Sequence, residues 1–112
     1  MDNAKNRQPE QAISSFVGKL LRDSFGKGPE AVFASLGGKF ITIYLRNFFS
    51  QIDEVLNNQD QVDLINDIRE RILQAIAPKI KMYIEMITEN TIEEFYYDWS
   101  IHNKTGIIVG VA

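Results

Sequence analysis

Cysteine is absent from the 112 residues, and His102 is the only histidine. The first absence removes disulfides, thiolate metal sites and cysteine nucleophiles together. The second would leave any transition-metal site to carboxylates alone. A chain without disulfides fits a reducing compartment. Grouped basic charge is missing too: the formal charge is −3, and the twelve Lys and Arg residues are scattered. Nucleic-acid binding relies on phosphate neutralisation by clustered cations, so no nucleic-acid partner is expected. No apolar run approaches the roughly 18 residues of a spanning helix, so direct membrane insertion is not expected either. The opening Met1-Asp2-Asn3-Ala4-Lys5-Asn6-Arg7-Gln8 is polar and lacks the apolar core of a signal peptide. A cytoplasmic protein is the expectation.

What is present reads as an ordinary globular chain. An apolar share of 45% with 24% charged residues suits one hydrophobic core in one domain. Residues 1 to 8 read as a disordered tail, and 9 to 112 as the domain. Pro9 suits a first helical turn. Ile13, Phe16, Val17, Leu20, Leu21 and Phe25 then recur at spacings of three and four, an amphipathic helix. Gly26, Gly28 and Pro29 stop it.

A β-hairpin follows. A two-residue loop at Gly37-Gly38 would pair Leu36 with Lys39 and Ser35 with Phe40. That places Val32, Ala34, Leu36, Ile41, Ile43 and Leu45 on one face, the expected core. Phe33, Phe40, Thr42 and Tyr44 fall on the other. Ser50 with Asp53 predicts a helix N-cap and a short helix over 51 to 57. Val62, Ile65, Ile68, Ile72, Ile76, Ile80, Tyr83 and Ile87 predict a long helix, with a kink or break near Ala77 because Pro78 removes a backbone bond.

Residues 91 to 101 alternate, with Phe95, Tyr97 and Trp99 on one side and Tyr96 and Asp98 on the other. Asn103 to Gly106 reads as a turn before a last strand, Ile107 to Ala112, that is apolar on both faces. The fold class is therefore α+β: helix, hairpin, helices, hairpin, with a four-stranded antiparallel sheet packed with helices. A strand apolar on both faces is covered on both. With little helical material available, self-association as a homodimer is the expected cover, and Phe33, Phe40, Tyr44 and Tyr96 are the candidate interface.

Chemistry is poorly represented. Gly26-Lys27-Gly28 resembles a phosphate loop only superficially, since the helix precedes it and the strand follows it, the reverse of a P-loop. Glu94 and Asp98 share a strand face but stand roughly 13 Å apart, too far to act as one carboxylate pair. Ser100 and His102 lie near Asp98 in sequence, yet extended backbone separates Ser100 and His102 by roughly 6–7 Å, and no nucleophile-elbow pattern occurs. No catalytic residue, cofactor or metal ligand is assigned, and a non-enzymatic protein is expected. The alternative is a small-ligand sensor with a pocket between the kinked helix and the sheet near Trp99.

The chain also resembles a known family. Phe25-Gly26-Lys27-Gly28-Pro29-Glu30 after the first helix, the hairpin ending at Leu45, Ile84-Glu85-x-Ile87-Thr88, Asp98 and Thr105-Gly106 stand in the order and spacing of the MpsC-like domain, over roughly residues 10 to 112. That bacterial and archaeal family is labelled after a component of a sodium-translocating, membrane-potential-generating system. The resemblance implies a soluble accessory or regulatory module, with an integral membrane protein as a candidate partner, and supplies no catalytic residue. Asn47 stands where the family usually has glycine, Glu89 replaces another, and Phe49-Ser50-Gln51-Ile52-Asp53 departs from the usual helix opening.

Overall fold

The computed structural model describes residues 3–112. In chain order they form α1 (Asn3–Phe25), β1 (Ala31–Gly37), β2 (Phe40–Arg46), α2 (Gln51–Asn58), α3 (Val62–Thr88), β3 (Glu94–Ser100) and β4 (Thr105–Val111). The four strands make one antiparallel sheet in the order β1-β2-β4-β3. The two hairpins are thus joined through β2 and β4, and the expected α+β class holds.

Helix α1 starts at Asn3, ahead of Pro9, rather than at it. Pro9 is the seventh residue of α1, so it removes the bond that an N–H there would make to the Lys5 carbonyl, and the helix continues through it. Residues 1 and 2 of the expected tail lie outside the described residues. Ile13, Val17 and Leu21, spaced by four, are fully buried, and Phe16, Leu20 and Phe25 pack beside them.

In the hairpin, Gly37 pairs with Phe40, Leu36 with Ile41 and Ser35 with Thr42. The loop is Gly38-Lys39, not Gly37-Gly38. Gly38 takes φ +59, which suits the first central position of a type II′ turn. The register therefore differs by two residues from the expectation. A shift of two preserves the faces, because side chains alternate with period two.

Helix α2 opens with Ser50 as N-cap. Its hydroxyl accepts from the Asp53 N–H at 3.2 Å, and the Asp53 carboxylate accepts from the Ser50 N–H at 2.9 Å. This capping box satisfies two donors that the helix start would otherwise leave unpaired.

Helix α3 continues without interruption through Pro78 for 27 residues. Pro78 and Gln74, whose carbonyl loses its usual partner, are both exposed, so water can serve that carbonyl. A proline on the solvent side does not break the helix. The buried stripe is Ile65, Arg69, Leu73, Ile76, Ile80 and Ile84, with the expected Ile68 and Ile72 on its margin. Core residues from α1, α3 and the inner sheet face (Ile41, Ile43, Leu45 and Ile108) form one cluster.

Arg69 is the exception in that stripe, only 1% exposed. Its Nη2 donates to the Phe48 carbonyl at 2.7 Å and to Asp53 Oδ2, the same oxygen that caps α2. Nε and Nη1 have no hydrogen-bond partner. The guanidinium instead lies 4.2 Å from the centre of the Phe48 ring and 5.9 Å from that of Phe25, so aromatic faces take the place of oxygen acceptors. Burial pulls the Arg69 pKa below its ordinary value, and Asp53 opposes that pull. Removing one partner of such a pair strands a buried charge. Arg69→Ala is expected to lower unfolding free energy by about 3–5 kcal/mol, read as a fall in the urea midpoint. A loss below 1 kcal/mol would show that the pair is dispensable.

Gly106 lies in β4, not in the turn expected there. The left-handed turn residue is Lys104, at φ 57. Glycine is needed at 106 for space: a Cβ would meet Leu45 Cδ1 at 3.0 Å and Phe48 Cδ2 at 3.2 Å. Gly106→Ala is expected to destabilise by about 1–3 kcal/mol through overpacking. Gly37→Ala, with nothing within 4 Å of its added Cβ, serves as the control. Equal denaturation midpoints for the two variants would refute the crowding.

Candidate functional site

The two edges of the sheet are treated differently. Along β1, a row of α1 residues spaced by four lies against the strand. Glu10 accepts from the Leu36 N–H at 2.8 Å, and Ser14 accepts from the Ala34 N–H at 3.2 Å. Gly18 is next in the row, beside Val32, whose Cγ2 would be in ordinary contact with an added Cβ at 3.5 Å. This row closes the β1 edge, which would otherwise present unpaired donors to another strand. The apolar-spacing argument missed it, because Glu10 and Ser14 read as ordinary solvent-facing residues. A shallow cleft of about 500 Å³ lined by Glu10, Ser14, Phe33 and Ala34 marks the seam.

The inner face is filled. Trp99 Nε1 donates to Asn66 at 2.8 Å, and the Tyr97 hydroxyl donates to Glu70 at 2.9 Å, fastening β3 to α3. Burial first, and then Glu70, raise the Tyr97 hydroxyl above its ordinary range. Because the folded value is raised, this contribution is complete below the unfolded value of about 10 and is lost as pH rises through the folded one.

The outer face is the opposite case. Reading across from β1 to β3, its rows are Phe33-Tyr44-Ile107-Asp98, Ser35-Thr42-Val109-Tyr96 and Gly37-Phe40-Val111-Glu94. The structure thus brings the expected set Phe33, Phe40, Tyr44 and Tyr96 onto one surface. Phe40 and Tyr96 are each 57% exposed, Phe33 49%, and Tyr44 and Ile107 41%. The core's helical residues pack on the other side. Ile107, Val109 and Val111 add the aliphatic centre of the patch and were not among the expected interface residues. Their strand is apolar on both sides, so sequence alone could not say which side faced out.

The surface is ordered by its own contacts. Phe33 and Tyr44 stack with ring centres 6.3 Å apart, and the Arg46 guanidinium lies 5.3 Å from the Phe33 ring centre. The Tyr96 hydroxyl donates to Glu94 at 2.6 Å, and that bond raises the hydroxyl pKa. A hollow of about 250 Å³ opens on this face among Tyr44, Asp98 and Ile107.

Asp98 and Ser100 border the same hollow, each engaged by a nearby backbone N–H. Asp98 accepts from the Trp99 N–H, Ser100 accepts from the Asn103 N–H, and His102 is exposed in the β3–β4 turn. Among the described residues, no three His, Asp or Glu side chains group in a way that could hold a metal. The loop at Gly26-Lys27-Gly28 follows a helix and precedes a strand. Gly26 caps α1 through its N–H to Arg22 at 2.9 Å.

The order of elements and the outer face meet the comparison with known proteins here. A family model described as Na+-translocating membrane potential-generating system (MpsC) matches residues 5–112. The chain belongs to the MpsC family. No curated protein and no solved structure matches. The family description points to association with a sodium-translocating membrane system, and among the described residues no helix is long and apolar enough to cross a membrane. Of the three departures from the family's usual pattern, Asn47 at φ 53 and Glu89 at φ 57 are in left-handed backbone.

The closed edge gives a direct test. Glu10→Ala is expected to leave the Leu36 N–H without its acceptor at a cost of about 1–3 kcal/mol. Amide hydrogen exchange at Leu36 should accelerate, with Ile43 in the centre of the sheet less affected. Unchanged exchange at Leu36 would mean that the edge is protected by something else.

Proposed function

We propose that this chain is a non-enzymatic accessory or regulatory module that works by protein contact, with the outer sheet face as its docking surface, in association with a sodium-translocating membrane system. The carrying observation is the exposed apolar face of β2 and β4, the two central strands. An antiparallel sheet commonly turns one face to water, and that face is then polar; a contiguous aromatic and aliphatic patch there instead marks an interaction site. Membership of the MpsC family supports the membrane association. The engagement of Asp98 and Ser100 by local backbone N–H groups, rather than by each other or by His102, supports a role without catalysis.

A ligand pocket between α3 and the sheet near Trp99 is the rival reading. It has less support, because the indole and the Tyr97 hydroxyl already have protein partners in Asn66 and Glu70.

Phe40→Glu and Tyr44→Glu place charge in the middle of the face while leaving the core untouched. Both variants are expected to keep their far-ultraviolet circular dichroism. They should lose the concentration dependence of the sedimentation coefficient and any retention of detergent-solubilised membrane subunits. If sedimentation and retention both match the unmodified chain, the face is not the docking surface.

A further inference from the structure

We infer that the occupant of the outer face is a second copy of this chain, related by a two-fold axis that lies in the interface parallel to the strands. This rests on the docking-face reading above and adds the partner and its orientation, which the distribution of charge selects.

The face is electrically divided. On the β1–β2 side, Arg46 stands at one end and Lys39 in the turn at the other. On the β3 edge stand Asp98 and Glu94. Two further charges lie close by. Glu30 accompanies Arg46 at 3.6 Å, with both side chains more than half exposed, too long for a hydrogen bond. Lys104, in the β3–β4 turn, lies over the Phe49 ring at 5.0 Å. The Arg46 guanidinium leans over Phe33 on β1. It therefore occupies the same cross-strand row as Asp98, at the opposite edge.

Sheets packed face to face in the aligned class keep their strands within about 30° of one another, and within that class there are two ways to build a two-fold pair. An axis across the strands superposes like edges, bringing the Asp98 and Glu94 edge of one copy against that of the other. An axis along the strands exchanges the edges. β1 then lies over β3 of the second copy, and Arg46 meets Asp98 of the second copy. Lys39 comes near Glu94 of the second copy, and β2 lies over β4. Tyr44 and Phe40 then oppose Ile107 and Val111, rings against aliphatic side chains. Of the two aligned arrangements this one places opposite charges together, and symmetry repeats each contact.

Strand spacing and rise give the face a projected area on the order of 400 Å². That is below the ~800 Å² per partner of a stable interface, so the dimer is weak and concentration-dependent.

The test uses the full chain at low salt, where surface charge is least screened. Arg46→Asp and Asp98→Arg each oppose like charges at both symmetric contacts. Each alone is expected to raise the dimer dissociation constant at least ~tenfold in sedimentation equilibrium. Mixed in equal amounts, the two variants restore complementary contacts on both sides and are expected to form a heterodimer. Failure of the mixture to associate overturns the inference. A dimer abolished by Phe40→Glu yet indifferent to both charge reversals overturns this orientation while leaving the docking face in place. An unmodified chain that stays monomeric at millimolar concentration overturns the second copy as occupant. The docking-face reading would then rest on retention of membrane subunits alone.

Discussion

The guanidinium of Arg69 is the point at which the separate elements become one structure. It reaches from α3 to the Phe48 carbonyl just past β2 and to the Asp53 carboxylate that starts α2, with the ring of Phe25 from the end of α1 beside it. Four segments meet at a charge that has left water. Hydrophobic residues of similar volume could supply comparable stability, since desolvation offsets much of the ionic attraction. What an apolar group could not do is hold the Phe48 carbonyl and the cap of α2 in one place. The pair thus fixes where the chain turns from sheet to helix, and the crowding of Gly106 against Leu45 and Phe48 follows from that placement.

The same chain that packs one sheet face closely leaves the other bare, and it does so with its edges under unequal protection. α1 spends one side on Ile13, Val17 and Leu21 and another on the β1 edge through Glu10 and Ser14. Helical residues of the core serve the inner surface, and none of them reaches the aromatic rows outside. Contact with another protein through those rows is the reading that unites this asymmetry with membership of the MpsC family.

Much of this was legible in the residues, and the limits have physical causes. Period-two alternation identified the inner and outer faces of the first hairpin, because a face depends only on parity. It could not set the register, since Gly37 and Gly38 offered adjacent loop positions. Ser50 and Asp53 announced α2 through a local bond pattern that needs no tertiary context. Arg69 was invisible because a charged residue in an apolar stripe looks like a solvent position until its partners are known. The α3 stripe was displaced for a related reason: isoleucines at 68 and 72 flank the buried line, and residue type alone does not separate margin from centre. Ile107, Val109 and Val111 joined the candidate face only when β4 was seen between β2 and β3.

That central place of β4 has a consequence in time. During synthesis, α1, β1 and β2 emerge ahead of β3 and β4 and can associate through contacts close in sequence. β3 emerges next but has no neighbour to pair with until residues 105–111 are made, because β4 alone borders both β2 and β3. The nascent chain therefore carries an unfinished sheet, with the inner edge of its first hairpin open, until residues 105–111 are in place. Strand pairing between neighbouring nascent chains is the hazard of that interval, and the α1 row that covers β1 is already present to confine the first hairpin's exposure to its β2 edge.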